Sequence, residues 1–332
     1  MGDYILEHPI GELGSVDGWK QCQIIECGER LVPLGAFSDY PQIATDSIYF
    51  GERNSSPYET GKLNGALLTV FVREGIAKRL AKAASLLPSG SMLLVWDAYR
   101  PLTVQRSLFD HYVGVLENRG VSHEQAIIDA QRFVSIPSDD PSSPSPHNTG
   151  GAVDLTIVRF PEVEWREMER LTKIVQMPEI SKNWQDIYAA EMERLLLIRR
   201  DSMPLEMGTV FDGAYPETAT RFYEELDPAR LGYKEWRYLN NRRLLWNAMV
   251  KAGFSNYSEE WWHFDFGNQF DATRAGRSAI YGSAELSKEN EIWEIMRRKH
   301  YFGYAAIYPF VCDIMARTGD LKHTTHPQAE RI

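Results

Sequence analysis

Between Ala152 and Val158 apolar and polar side chains alternate, with Val153, Leu155 and Ile157 set against Asp154 and Thr156. A period of two fits an extended strand, not a helix. Such a strand needs a core on its Val153 side, and it turns Asp154 away from that face. The chain enters it through Ser145-Pro146-His147-Asn148-Thr149-Gly150-Gly151, preceded by a stretch from Ser135 that crowds Ser, Pro and Asp and reads as a loop. Ionisable residues therefore stand beside a strand end.

The neighbouring segments predict helices around further short strands. Glu74 to Leu87 places Ile76, Leu80 and Ala84 on one face and ends at Pro88-Ser89-Gly90, and Ser91 to Asp97 then reads as a buried strand. Pro101 occupies a favoured first-turn position for a helix running toward Gly120. Ser122 with Gln125 has the spacing of a capping box, opening a helix to about Val134. Glu162 to Arg200 reads as two helices broken near Pro178, and Pro216 to Gly253 as a helix-rich region stopped by glycine. Trp261 to Phe266 follows as a strand.

Composition removes several classes of function. With 36 Lys and Arg against 46 Asp and Glu, the formal net charge is -10, the wrong sign for a broad grip on nucleic acid. Cys22, Cys27 and Cys312 are too sparse for a disulfide framework and read as packed thiols in a reducing compartment. No run reaches the roughly 18 apolar residues of a membrane span. The acidic N-terminus lacks the basic start of a signal peptide, so a cytoplasmic location is expected. The 332 residues are read as one domain, because no composition break sets off the tail beyond Phe266.

Three segments carry metal-liking or ionisable side chains: Trp96-Asp97-Ala98-Tyr99-Arg100-Pro101, Ser145 to Asp154, and Glu259-Glu260-Trp261-Trp262-His263. Catalytic zinc takes three ligands from His, Asp or Glu and keeps a fourth position open. His147, Asp154 and His263 fit that recipe. Taken singly, each histidine also fits an ordinary loop or strand position. Glu260 lies three residues before His263, which an ideal strand would place on opposite faces, so both serve one site only if the chain bends at Ser258-Glu259-Glu260.

The pattern Ser-x-His-x-x-Gly-x-Ala-x-Asp, met at Ser145, His147, Gly150, Ala152 and Asp154 and followed by Glu-Trp-Trp-His, resembles that of zinc D-alanyl-D-alanine dipeptidases. These are the vancomycin-resistance-type enzymes and their relatives among the D,D-carboxypeptidases. Trp96 to Pro101 and Met207-Gly208-Thr209-Val210-Phe211-Asp212 agree with the same family in order along the chain. The resemblance implies an α+β fold, a small central antiparallel or mixed sheet flanked by helices. To this the chain adds a helical insertion at about 160–203 and a C-terminal extension at about 267–332.

It further implies one Zn2+ per chain held by His147, Asp154 and His263, with Glu260 as general base and Arg100 stabilising the oxyanion. Asp212 would pair with the ammonium group of a small dipeptide, and Ser145 would steady the substrate near its scissile bond. A capping role for Asp212 and a turn role for Ser145 are the plain alternatives.

Two departures bear on the substrate. A tyrosine that joins the aspartate in the dipeptidases is replaced here by Ile43, with Tyr40 and Tyr49 nearby. The segment between Asp154 and Met207 is far longer than in the family, which fits a lid, a pocket wall or a surface for a homo-oligomer. The expected activity is hydrolysis of D-Ala-D-Ala or a similar dipeptide. A zinc hydrolase for another small amide or peptide, and a non-catalytic module that binds peptidoglycan fragments, are the competing expectations.

Overall fold

A computed structural model describes residues 8–52, 56, 58, 63–131, 134, 136–176, 183–213 and 215–301. In chain order its strands are β1 (Leu31–Pro33), β2 (Ile43–Thr45), β3 (Phe71–Arg73), β4 (Ser91–Asp97), β5 (Ala152–Arg159), β6 (Met203–Pro204), β7 (Ser255–Asn256) and β8 (His263–Asp265). The helices are α1 (Glu74–Ala84), α2 (Leu102–Asn118), α3 (His123–Ala130), α4 (Glu162–Val175), α5 (Trp184–Asp201), α6 (Tyr233–Lys251) and α7 (Gln269–Ala275). The chain divides into two compact units, Met1–Ser287 and Lys288–Ile332. The described part of the second is a single helix over 288–301.

The main sheet has the order β2-β4-β5-β8-β7, with β6 also paired to β5. β2 and β4 run parallel, and the other pairs are antiparallel. The fold is thus α+β with a mixed sheet, as expected. β1 and β3 form a separate antiparallel pair.

The alternation along β5 decides which face meets which helices. Val153, Leu155 and Ile157 join Leu93 and Val95 in a core closed by Ile76 and Leu80 of α1 and by Leu245 and Met249 of α6. On the other face Val158, Met92 and Leu94 meet Met168 and Leu171 of α4 and Ala190, Leu197 and Ile198 of α5. Each large aliphatic side chain buried this way contributes about 1.5–3 kcal/mol. α4 and α5 are therefore a layer of the core.

α5 is also tied down by charge. Glu191 and Arg194 of α5 form a fully buried ion pair at 2.7 Å. The second Glu191 oxygen accepts from the Phe37 amide at 2.9 Å, and Arg194 donates to the Pro41 carbonyl. Arg199 reaches the Glu52 carbonyl at 3.0 Å. These bonds pair both buried charges, leaving Arg194 Nε as the one guanidinium nitrogen without a partner among the described residues, and fix the chain on either side of β2.

Several local expectations need correction. α1 ends at Ala84 and α3 at Ala130, short of Leu87 and Val134. Ser122 caps α3 by accepting from the Gln125 amide, but the Gln125 side chain turns to Asp129, so only half of the capping box forms. Trp261 and Trp262 are not strand residues. They lie in the turn between β7 and β8, where their indoles pack edge to face at 5.3 Å. Cys27 is exposed and Cys22 half-buried, so the packed-thiol expectation fails at Cys27, while Cys312 and Pro178 lie outside the described residues. Among the described residues no helix is long and apolar enough to cross a membrane.

Candidate active site

The site is assembled at one end of the sheet, where β4, β5 and β8 are neighbours. Asp154 on β5 pairs with Asp97 on β4 and with His263 on β8, so three polar side chains stand in one row across the strands. The row depends on a register shift between Val95 and Asp97. A regular β4 would place Trp96 opposite Asp154; the bulge brings Asp97 there instead. Asp154 lies on the face away from Val153, as the alternation required.

His147 comes from a short 3-10 turn, His147–Thr149, just before β5. Gly150 closes that turn at φ 70°, and a Cβ there would meet the Leu31 side chain at 2.7 Å, so only glycine fits. Arg73 at the end of β3 holds the turn, its Nε donating to the Thr149 carbonyl at 2.8 Å. The backbone amide of Arg100 donates to the His147 carbonyl at 3.1 Å, and Asn148 Nδ2 donates to the Arg100 carbonyl at 3.3 Å. Two of the three sequence segments are thereby joined through their main chains.

Nε2 of His147 lies 3.2 Å from Nδ1 of His263, which in turn lies 3.0 Å from Oδ1 of Asp154. Oδ2 of Asp154 is 3.4 Å from His147 Nε2. All three residues are buried, and one ligand atom from each lies within 4.8 Å of the others. The opposite edge of each ring is engaged. Nδ1 of His147 meets the Ala98 carbonyl at 3.0 Å and Asp97 Oδ2 at 3.1 Å, while Nε2 of His263 meets Asp265 Oδ1 at 3.0 Å. Such outer acceptors fix the tautomer that leaves the facing nitrogen lone pair free for a metal. The donor set and its orientation fit a metal ion.

The electrostatics agree. Burial disfavours charge on His263, yet Asp265 and Asp154 overcome it and hold the ring well above the usual histidine range. Asp265 feels the same burial, but His263 and Arg274 hold its carboxyl below the ordinary range. Burial lowers His147, opposed by Asp154 and Asp97.

The predicted bend before His263 exists. β7 and β8 are joined by a tight turn in which the His263 amide donates to the Glu260 carbonyl at 3.3 Å and the Tyr257 amide to the His263 carbonyl at 3.1 Å. Glu260 Oε2 comes within 3.8 Å of His263 Nδ1. Loss of hydration in the cleft, with the Asp154 and Asp212 charges adding to it, pushes the Glu260 carboxyl up to about 7.

Arg100 is held on several sides. It donates from Nε and Nη2 to Asp97 Oδ2 at 2.9 and 2.5 Å, from Nη1 to Gln105 at 2.8 Å and from Nη2 to the Tyr49 hydroxyl at 2.8 Å. Burial opposes its charge, but Asp97 more than restores it. Asp212 adopts a left-handed conformation at φ 58° and sits beside Tyr112, whose hydroxyl is 3.5 Å from its Oδ2. Burial pushes the Asp212 carboxyl up to about 6. Ser145 Oγ accepts from the Asn148 amide at 3.4 Å, which is the turn role foreseen for it.

On the side of Asp212 the sequence reading named Tyr49 as a nearby residue but missed Tyr58 and Tyr112. Ile43 is a core residue of β2 and Tyr40 packs on the same core. Tyr49, Tyr58 and Tyr112 border Asp212 instead, with the Tyr49 and Tyr58 rings 5.4 Å apart and Tyr58 hydrogen-bonded to Tyr112. They come from three separate segments, and no spacing links them. Asp97 and Asp265 were also missed, although Asp97 stands in a quoted motif and Asp265 follows His263 at the two-residue spacing of a strand face.

The profile of the Peptidase_M15 family, described as D-ala-D-ala dipeptidase, matches residues 59–197 and 160–278, together more than half of the chain. The chain belongs to this family. It is a peptidase hydrolase by that membership, and all seven residues singled out from its motifs lie within the matched span. The two matches overlap over 160–197, which spans α4 and most of α5. A D-alanyl-D-alanine dipeptidase of Synechocystis sp. (strain ATCC 27184 / PCC 6803 / Kazusa) is 26% identical over 266 residues, covering 74% of this chain and 85% of the relative.

Proposed function

We propose that this M15 peptidase is a zinc-dependent dipeptidase acting on D-Ala-D-Ala or a similarly small dipeptide. The observation that carries the reading is the meeting of His147, Asp154 and His263 in one buried cluster, with Glu260 at 3.8 Å from His263. Two imidazoles and a carboxylate form an N/O donor set suited to one zinc ion per chain. Bound there, zinc supplies Lewis acidity, polarising the peptide carbonyl and making water acidic enough to attack near neutral pH.

Glu260 takes a proton from the attacking water on its carboxylate and delivers it to the departing amine nitrogen. A carboxyl at about 7 suits both halves of that transfer, and a neighbouring cation shifts it toward the base form. Arg100, kept charged by Asp97, is assigned to the negative charge that develops on the carbonyl oxygen. Asp212 receives the substrate ammonium, and Ser145 steadies the substrate from its turn.

A second reading, a zinc hydrolase for a different small amide or peptide, is favoured by the altered amine side. Ile43 is packed in the core of β2, and Tyr49, Tyr58 and Tyr112 border Asp212. The experiment is metal analysis of the purified protein with D-Ala-D-Ala hydrolysis before and after a chelator and on zinc add-back. Near one zinc per chain with chelator-sensitive turnover supports the first reading. Zinc without turnover on D-Ala-D-Ala, but with turnover on another small peptide from a stereochemical panel, supports the second. No zinc after reconstitution overturns both.

A further inference from the structure

Arg242 of α6 is 2% exposed, and all its hydrogen bonds go to main-chain carbonyls. Its Nε donates to Met207 at 2.8 Å, Nη1 to Ala219 at 2.7 Å and Nη2 to Glu217 at 2.6 Å. Among the described residues no carboxylate lies within ion-pair distance of it. The guanidinium stacks 4.7 Å from the centre of the Tyr223 ring and 6.0 Å from that of Trp261. Burial draws its pKa down to about 10, so the cation is kept at a cost that three carbonyl dipoles offset.

The three carbonyls belong to two segments with separate tasks. Met207 opens the strip that ends in Asp212, and Phe211 of this strip is wedged between Trp96 at 4.8 Å and Trp262 at 5.3 Å. Glu217 and Ala219 flank Thr218, whose carbonyl accepts from the Trp261 amide at 3.0 Å. Two residues on, the Thr220 amide donates to the Ser258 carbonyl at 2.8 Å. That second strip is therefore stitched to the turn that carries Glu260. Trp261 Nε1 donates to Thr209 Oγ1 at 2.9 Å and links the turn to the Asp212 strip.

We propose that Arg242 is a positioning residue that sets the spacing between Asp212 and Glu260, by clamping the strip of one and the support of the other to a single planar group. It touches neither substrate nor metal ligand. A guanidinium suits this task because its donors are rigidly divergent in one plane, which an ammonium cannot reproduce. The inference rests on the proposed reading of Asp212 as the ammonium partner and Glu260 as the base.

The test is Arg242→Lys in the full-length zinc enzyme, with Asp212→Asn alongside. The expected result is unchanged zinc stoichiometry and a kcat/KM for D-Ala-D-Ala lower by about 10- to 100-fold. The inhibition constant of N-acetyl-D-Ala-D-Ala, which offers Asp212 no ammonium, should stay within about twofold of the parent value. A purely structural role would weaken both ligands alike, and that result, or an unchanged kcat/KM, overturns the proposal. If Asp212→Asn is itself silent, the ammonium assignment fails and the proposal falls with it. If Asp212→Asn is impaired and Arg242→Lys is not, only the proposal falls. Arg242→Gln, which retains two N–H donors, is read by the same criteria should the lysine variant not fold.

Discussion

Asp265 Oδ1 lies 3.0 Å from Nε2 of His263, on the ring edge opposite the nitrogen that faces Asp154. The carboxylate is itself held by Asn268 Nδ2 at 2.6 Å and Arg274 Nη1 at 2.9 Å, so its position does not depend on the histidine. Replacing it with Asn keeps the shape and removes the charge. Asp265→Asn is expected to weaken zinc binding by about 10- to 100-fold while the protein stays folded. Competition against a chromophoric chelator measures this directly.

Zinc and protons compete for the same place. His263 is held protonated well above the usual histidine range, so a metal must displace its Nδ1 proton. From about pH 6.5 upward the apparent zinc affinity should therefore rise about tenfold per pH unit for each proton released. Calorimetry in buffers of different ionisation enthalpy counts the protons. A pH-independent affinity across this range would show that His263 is already neutral in the apoprotein.

Glu260 stands beside the cluster without completing its donor set. Glu260→Gln should leave zinc stoichiometry intact and lower kcat by about 10²- to 10⁴-fold. Metal analysis together with turnover on the best dipeptide checks both halves of that statement. Full activity in the Gln variant would remove Glu260 from the mechanism.

Asp212 carries a stability consequence with a definite sign. Its folded-state pKa, about 6, lies above its ordinary value of 3.8, so its contribution is present below about pH 4 and is lost as pH rises through 6. Asn tolerates the left-handed conformation seen at φ 58° and cannot ionise. Asp212→Asn should thus raise the melting temperature relative to the parent at pH 8, with the gain shrinking toward pH 4, while raising KM for a free dipeptide. Melting curves at the two pH values, with KM at the higher one, test the pair of effects.

The buried Glu191–Arg194 pair predicts strong non-additivity. Glu191→Leu alone strands the guanidinium and should cost about 3–5 kcal/mol. Adding Arg194→Met should recover much of that loss, since two apolar side chains replace two paired charges. Urea unfolding of the two single variants and the double variant closes the cycle.

Much of the site was legible because it is written in local chemistry. The alternation of β5 assigned Asp154 to its face, the motifs named the three side chains that meet in the buried cluster, and the spacing of Glu260 and His263 required a bend that the β7–β8 turn supplies. The His-x-Asp spacing of His263 and Asp265 was equally present, since residues two apart share a strand face. It passed unread because no metal-ligand motif includes that acid.

What the chain by itself determined is the identity and local direction of side chains, because helical and strand periods act over a few residues. The tertiary structure decided the rest. The bulge at Trp96 sets Asp97 opposite Asp154, Tyr49, Tyr58 and Tyr112 converge on Asp212 from distant segments, and α4 and α5 become a core layer. Those outcomes depend on cross-strand register and on which buried charges and carbonyls find partners, and such pairings are settled only when segments far apart in the chain are packed together.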